Sequence, residues 1–277
     1  MSIQLTCEII SIGNELLIGK VVNTNASWLA ERLTRLGVAV KRITVVGDNL
    51  SEISSCIRES LSRKPRYIIT TGGLGPTYDD ITLEGLAVAL GKPLVLNQEA
   101  LEMVRGKYEK MGEELTESRI KMAKMPEGAE PLPNPVGTAP AAKIVSGGTL
   151  IYALPGVPRE MEAIFNETIS RDVSGESGLK VAELYLRVTG VKESSLAPLI
   201  SRVKELYPNT YIKSHPKVSE EKPWIEIYFS VFHKDESEAK RIVSEAAKEL
   251  TRLIEEHYGK VVSNRGMNKG FGKGIVE

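Results

Sequence analysis

The segment Thr70-Thr71-Gly72-Gly73-Leu74-Gly75-Pro76-Thr77-Tyr78-Asp79-Asp80 follows the apolar run Tyr67-Ile68-Ile69. Glycines let a backbone approach a ligand closely, and a helix start after them points the positive end of its dipole at an anion. No Gly-Lys-Ser/Thr follows, so this is not a P-loop, and Tyr78 stands where a dinucleotide fingerprint needs its third glycine. Gly72, Gly73 and Gly75 are therefore read either as amides presented to a phosphate or as a tight strand-to-helix turn. Two adjacent carboxylates beside an anion would repel it unless a cation sits between them, which points Asp79 and Asp80 at a Mg²⁺-like ion. The competing reading is that one of them caps the next helix.

Three further irregular stretches end predicted strands or start predicted helices. "IGNELLIGKVVNTN" carries Gly13, Glu15, Asn23, Thr24 and Asn25, where Asn and Thr could read a ribose or a base, or cap a helix. "NPVGTAP" carries Asn134, Gly137 and Thr138, and "LPGVPREM" carries Pro155, Gly156, Pro158 and Glu160. Their Pro-Gly pairs fix turns in advance. Glu160 falls in a first helical turn, where compensation of the macrodipole is its simplest role.

The elements around these stretches alternate. Strands are predicted at "CEIISIG", "VAVKRITVVGD" and "RYIITTGG", and helices at "NTNASWLAERLTRLG", "LSEISSCIRESLSR" and "DITLEGLAVALG". A helical stretch over 97–122, broken at Gly112, precedes a Pro/Gly-rich region with short strands at "AAKIV" and "TLIYAL" and a helix starting at Pro158. Alternation of this kind implies βαβ units and a mostly parallel sheet sandwiched by helices. Composition shifts at "DVSGESGLK", giving an expected domain over 1–172, a linker over 173–180, an α+β module (β-α-β-β-α) over 181–262 and a flexible tail over 263–277. Asp235 and Glu238 form a capping-box pattern before its last helix.

Bulk composition narrows the chemistry. Among 277 residues, 36 basic side chains balance 36 acidic ones, which argues against a general electrostatic grip on nucleic acid. No stretch approaches the ~18–20 apolar residues of a membrane span, Glu8 and Glu15 interrupt any signal-peptide core, and two isolated cysteines suit a reduced cytoplasmic protein. All three histidines, His215, His233 and His257, lie in the last quarter, so a site in the first domain works without imidazole. Only five residues are Asp, two of them in the opening motif, while Gln is scarce and Glu abundant, a thermophile-like bias.

Taken together, the four stretches resemble the N-terminal domain of the competence- and damage-inducible protein family (CinA). "TTGGLGPTYDD" and "LPGVP" are also similar to molybdopterin adenylyltransferases and molybdenum-insertion proteins. The resemblance covers residues 1 to about 170, and the α+β module is similar to the KH-like middle domain of the same family. It implies a molybdopterin-binding-like fold and divalent-metal-dependent hydrolysis of the pyrophosphate of ADP-ribose or a related dinucleotide. Asp79, Asp80 and Glu15 would be catalytic, Asp79, Asp80 and Glu160 would hold Mg²⁺, Mn²⁺ or Co²⁺, and Gly13, Asn23, Asn25, Gly72, Gly73, Gly75, Thr77, Asn134, Gly137, Thr138, Pro155, Gly156 and Pro158 would line the ligand. Binding of molybdopterin or a nucleotide without turnover, or adenylyl transfer to molybdopterin, are the alternatives. A homodimer is implied. The nicotinamide mononucleotide amidase domain of longer members is not expected, because the chain ends where it would begin. Ala141 stands where the family often has glycine, and the module lacks a GxxG loop, so nucleic-acid binding is not expected of it.

Overall fold

The computed structural model describes residues 5–217, 223–259 and 261–264. They form two compact units, Met1–Ser177 and Gly178–Glu277 by their boundaries along the chain.

The first unit is a sheet with helices on both faces. Its strands are β1 (Thr6–Ile12), β2 (Ala39–Val46), β3 (Tyr67–Thr71), β6 (Glu130–Leu132), β7 (Ala141–Ser146) and β8 (Thr149–Leu154), in the order β2-β1-β3-β8-β7-β6. A separate antiparallel pair, β4 (Leu94–Leu96) and β5 (Lys124–Pro126), lies outside it. The first four strands of that order are parallel, and β7 and β6 add an antiparallel edge. Strands covered on both faces need apolar residues at every position rather than at alternate ones. Ile10 and Ile68 accordingly meet α3 (Leu50–Ser62), α4 (Thr82–Leu90) and α5 (Gln98–Met111) through Ile53, Leu86 and Val104. Ile9 and Ile69 meet α2 (Thr24–Arg35) and α7 (Pro158–Ile164) on the other face through Leu29, Leu33 and Met161.

Two short helices, α1 (Asn14–Leu17) and α6 (Glu117–Lys121), sit in connections, and a π-helical turn at Phe165–Ile169 joins α7 to α8 (Ser170–Ser177). The expected linker over 173–180 is corrected at this point: residues 173–177 are the end of α8. Tyr152 Oη donates to Asp172 at 2.7 Å and Tyr67 Oη to Glu176 at 2.6 Å, so two acids one turn apart fasten this helix to two adjacent strands. Lys143 and Arg66 pair with the same two acids. Burial works against charge on Asp172 and Glu176, but these bonds hold both carboxyls below their usual range.

One charge is buried within β1. Glu8 receives Arg63 in a two-pronged pair, at 2.7 Å on each oxygen, and Ser60 Oγ at 2.9 Å. Burial raises its pKa, but Arg63, Ser60 and Arg42 outweigh it and hold the carboxyl low.

The second unit runs β9 (Lys180–Thr189), α9 (Glu193–Leu206), β10 (Thr210–Lys217), β11 (Trp224–His233), α10 (Glu236–Tyr258) and β12 (Val262–Asn264). Its antiparallel sheet has the order β10-β11-β9-β12 and packs Leu186, Ile227 and Phe229 against Val203, Val243 and Leu250. Residues 263 and 264, expected in the tail, pair with β9, and the rest of that tail lies outside the described residues. The capping box is half made. Asp235 accepts from the amides of Ser237 and Glu238, whereas the Glu238 carboxylate turns to Arg241. No helix among the described residues is long and apolar enough to cross a membrane.

Candidate functional site

Parallel pairing brings four strand ends to one edge of the first sheet. Ile12 is in register with Val46, Ser11 with Thr71, and Thr71 with Leu154. The residues after them, Gly13, Gly47-Asp48, Gly72 and Pro155, therefore emerge side by side, where open α/β sheets hold ligands. The loop leading into β7 reaches the same edge because β7 is antiparallel to β8.

These loops enclose a cavity of about 380 Å³. Gly13, Glu15, Gly72, Gly73, Gly75, Thr77, Asp79, Asp80, Thr138, Pro155, Gly156 and Glu160 line it, together with Asp48, Met122 and Val157 among others. Among the described residues, its lining includes five carboxylates and no lysine, arginine or histidine. A smaller adjoining cavity is lined by Asn23, Thr24, Asn25, Thr71 and Pro158, and shares Glu15, Gly72 and Gly156 with the first.

The glycines of the β3–α4 loop divide into two kinds. The amide of Gly72 donates to Leu154 O at 3.0 Å, and that of Gly13 to Val46 O at 3.0 Å, so both continue the sheet. This corrects the expectation that Gly72 offers its amide to a ligand. Its lack of a side chain serves packing, since a Cβ there would stand 2.1 Å from Ile12 O. The amides of Gly73, Leu74 and Gly75 have no protein acceptor among the described residues, and all three residues line the cavity. Gly73 takes φ 67°, a left-handed conformation that favours glycine, and its carbonyl accepts from the Thr82 amide.

Neither aspartate caps α4, whose N-cap is Ile81 without a side-chain bond. Both turn to Thr77 instead. Thr77 Oγ1 lies 2.5 Å from Asp79 Oδ1 and 2.5 Å from Asp80 Oδ2, and the Thr77 amide donates to Asp80 at 2.8 Å. One hydroxyl proton can serve one of these carboxylates at a time. The Thr77 bond and its own backbone amide hold the Asp79 carboxyl below its usual range, with a smaller contribution from Lys121.

The other acids are held by their own loops. Asp48 accepts from the Asn14 amide at 2.8 Å. Glu15 folds over Gly13, where a Cβ would stand 2.5 Å from its carboxylate. Glu160 lies in the first turn of α7 and accepts from Asn134 Nδ2 at 2.7 Å. Among the described residues no group of three or more His, Cys, Asp or Glu is placed to hold a metal ion. Asp79, Asp80 and Glu160, the expected metal set, thus line one cavity without forming such a group.

Three asparagines have different tasks. Asn23 caps α2, accepting from the Ala26 amide at 3.2 Å. Asn25 ties loops together by donating to Thr71 Oγ1 at 3.0 Å and Gly156 O at 2.8 Å, while Thr71 Oγ1 donates to Pro155 O at 2.9 Å. Its Oδ1 is buried without a partner among the described residues. Asn134 is buried and lines neither cavity, which corrects its place among ligand contacts. Its side chain bonds the Val136 and Gly137 amides, Ala139 O and Glu160. Gly137 likewise lies under the Glu160 carboxylate and is absent from the lining. Asp48 was not singled out from sequence; its position directly after the strand "ITVVG", in a chain with five aspartates, was the available signal.

Residues 8–174 match the family model described as "Probable molybdopterin binding domain". Protein PAE0875 of Pyrobaculum aerophilum is 50% identical over 255 residues, covering 91% of this chain and 95% of that protein. A protein of Aeropyrum pernix is 47% identical over 257 residues, covering 91% and 95%. A crystal structure of "the protein CinA with unknown function" from Thermoplasma acidophilum is 42% identical, with a TM-score of 0.57, covering 61% of this chain and 98% of that one.

Proposed function

Because the chain belongs to the family of molybdopterin-binding domains and is CinA-like, we propose that its cavity binds a nucleotide through a pyrophosphate and, with a divalent metal, hydrolyses it. ADP-ribose or a related dinucleotide is the substrate of this reading. One observation carries it: among the described residues, three consecutive residues whose amides have no acceptor line a cavity that also has five carboxylates and no cationic side chain in its lining. Amides at Gly73, Leu74 and Gly75 suit phosphate oxygens. The carboxylates would repel the same phosphates unless a metal ion joined them.

The oxygen donors of Asp79, Asp80 and Thr77 fit such an ion. Mg²⁺-type sites use one or two carboxylates and leave the other positions to water and phosphate, so two aspartates are enough side-chain acids for one. When bound, the metal neutralises phosphate charge and makes water more acidic. The protein's own part is to hold the pyrophosphate at the amides and to accept a proton at Glu15 as water attacks phosphorus. A P–O bond to water forms, the bridging P–O bond breaks, and AMP leaves with ribose phosphate as the other product.

The test is AMP release from ADP-ribose with Mg²⁺, Mn²⁺ or Co²⁺. Release that disappears in the double variant Asp79→Ala, Asp80→Ala supports hydrolysis; no release by the wild-type chain, or undiminished release by the variant, overturns it. The family description favours a second reading, in which the same loops hold a pterin without turnover. Calorimetric pterin binding with every dinucleotide left intact would select it, and an ATP-dependent adenylylated product would select adenylyl transfer.

A further inference from the structure

We infer that Lys121 is the counter-charge of this site, a positioning residue that stands beside the amide loop and balances Asp79 and Asp80 when an anion enters. The inference rests on the nucleotide-and-metal reading of the cavity.

Lys121 ends α6, and its ammonium donates to Thr77 O, the carbonyl of the residue whose hydroxyl and amide hold both aspartates. A narrow pocket lined by Lys121, Gly73, Leu74, Gly75 and Asp80 sets the lysine beside the same loop that lines the main cavity. The next residue, Met122, lines both this pocket and the main cavity. The lysine's base is fixed: Met122 and Ala123 are buried, and Arg119 of the same helix stacks on the Tyr108 ring at 4.0 Å.

The arrangement gives Lys121 two separable effects. Its charge opposes any cation arriving at Asp79 and Asp80, and it favours any anion arriving at the amides. A residue that merely pinned the loop would act on both ligands in the same direction. Lys107, which donates to Pro135 O on another loop of the site at 3.2 Å, provides the comparison, since no aspartate is bonded to that carbonyl's residue.

The experiment titrates the full chain at low salt with Mn²⁺ alone, and then with AMP at saturating Mn²⁺. Lys121→Met is expected to bind Mn²⁺ about threefold more tightly and AMP about threefold more weakly. Lys121→Arg should stay near wild type in both, and Lys107→Met should not show the opposed changes. Loss of both affinities together would identify a simple pin, and no change in either would remove Lys121 from the site; each overturns the inference. A wild-type chain that binds neither Mn²⁺ nor AMP overturns the reading of the cavity itself, and Lys121's role with it.

Discussion

The carboxylate of Glu160 lies directly over Gly137, so that a Cβ at that position would stand 2.2 Å from it. Two further pairs repeat the relation, Glu15 over Gly13 at 2.5 Å and Asp80 over Gly75 at 2.6 Å. Three acids of one cavity are each seated on a glycine. Gly137→Ala should displace Glu160 from Asn134 while leaving the fold intact, because the displaced atoms end a flexible side chain. Thermal unfolding should move by no more than the few degrees that ~1 kcal/mol represents, while ligand affinity at the cavity falls. Unchanged affinity would show that the seating of Glu160 does not matter to the site.

Asp79 and Asp80 should separate in their effects. Asp80 receives both the amide and the hydroxyl of Thr77, whereas Asp79 shares only the hydroxyl. Asp79→Asn is expected to abolish metal-dependent turnover without moving the melting temperature. Asp80→Asn should lower both. A stable Asp80 variant beside a destabilised Asp79 variant would reverse the assignment.

Asn25 connects residues far apart in the chain through donors alone, to Thr71 and Gly156. Asn25→Ala removes both donations, a part-buried one to the Thr71 hydroxyl and an exposed one to the Gly156 carbonyl, and should cost about 1 kcal/mol in urea unfolding. Asn25→Asp keeps the shape but has no N–H to donate and faces Gly156 O with a charge. It should therefore be at least as damaging as alanine. A tolerated aspartate would mean that the bond to Gly156 contributes little.

Acid should unfold the first unit through groups whose carboxyls are held low. Glu8, Asp172 and Glu176 are all shifted downwards by their partners. A lowered folded-state value means that the stabilisation is fully present above the ordinary carboxylate range and is lost as pH falls through the folded value. The decline should therefore begin below about pH 4. Glu8→Gln should cost about 2 kcal/mol at neutral pH, less than a wholly buried pair because Arg63 is half-exposed, and should flatten the acid limb. Equal acid sensitivity in wild type and variant would place the titrating group elsewhere.

The parallel architecture was legible because strands such as β3 and β8 read as short, mostly apolar runs that end beside glycine, and the longer helices α2 and α3 each carry one apolar stripe. The convergence of the four loops followed from strand direction. Roles within the loops were less legible, because one residue type serves several physical ends. Asp79 and Asp80 stand where a cap is expected, yet both bend back to Thr77, a choice made by a two-residue turn that no periodicity reveals. Gly72 and Gly73 are neighbours of identical composition, but sheet register consumes one amide and leaves the other open. Asn134 has the chemistry of a ligand contact, and burial turns it into a brace for its own loop. The run at 173–177 is polar and rich in glycine and serine, and remains helical because Tyr67 and Tyr152, distant in sequence, bind its acids.

That last attachment decides where the chain can be divided. Asp172 and Glu176 are the only carboxylates bonded to the hydroxyls of Tyr67 and Tyr152 among the described residues. A cut after residue 172 would keep one of these bonds and strand the phenol of Tyr67, a residue wholly inside the core, without its acceptor. An excised first unit should therefore be soluble and cooperative when it ends at Ser177, and prone to misfolding when it ends five residues earlier. The two-residue step from Ser177 to β9 then becomes the natural point of surgery for swapping one unit while keeping the other.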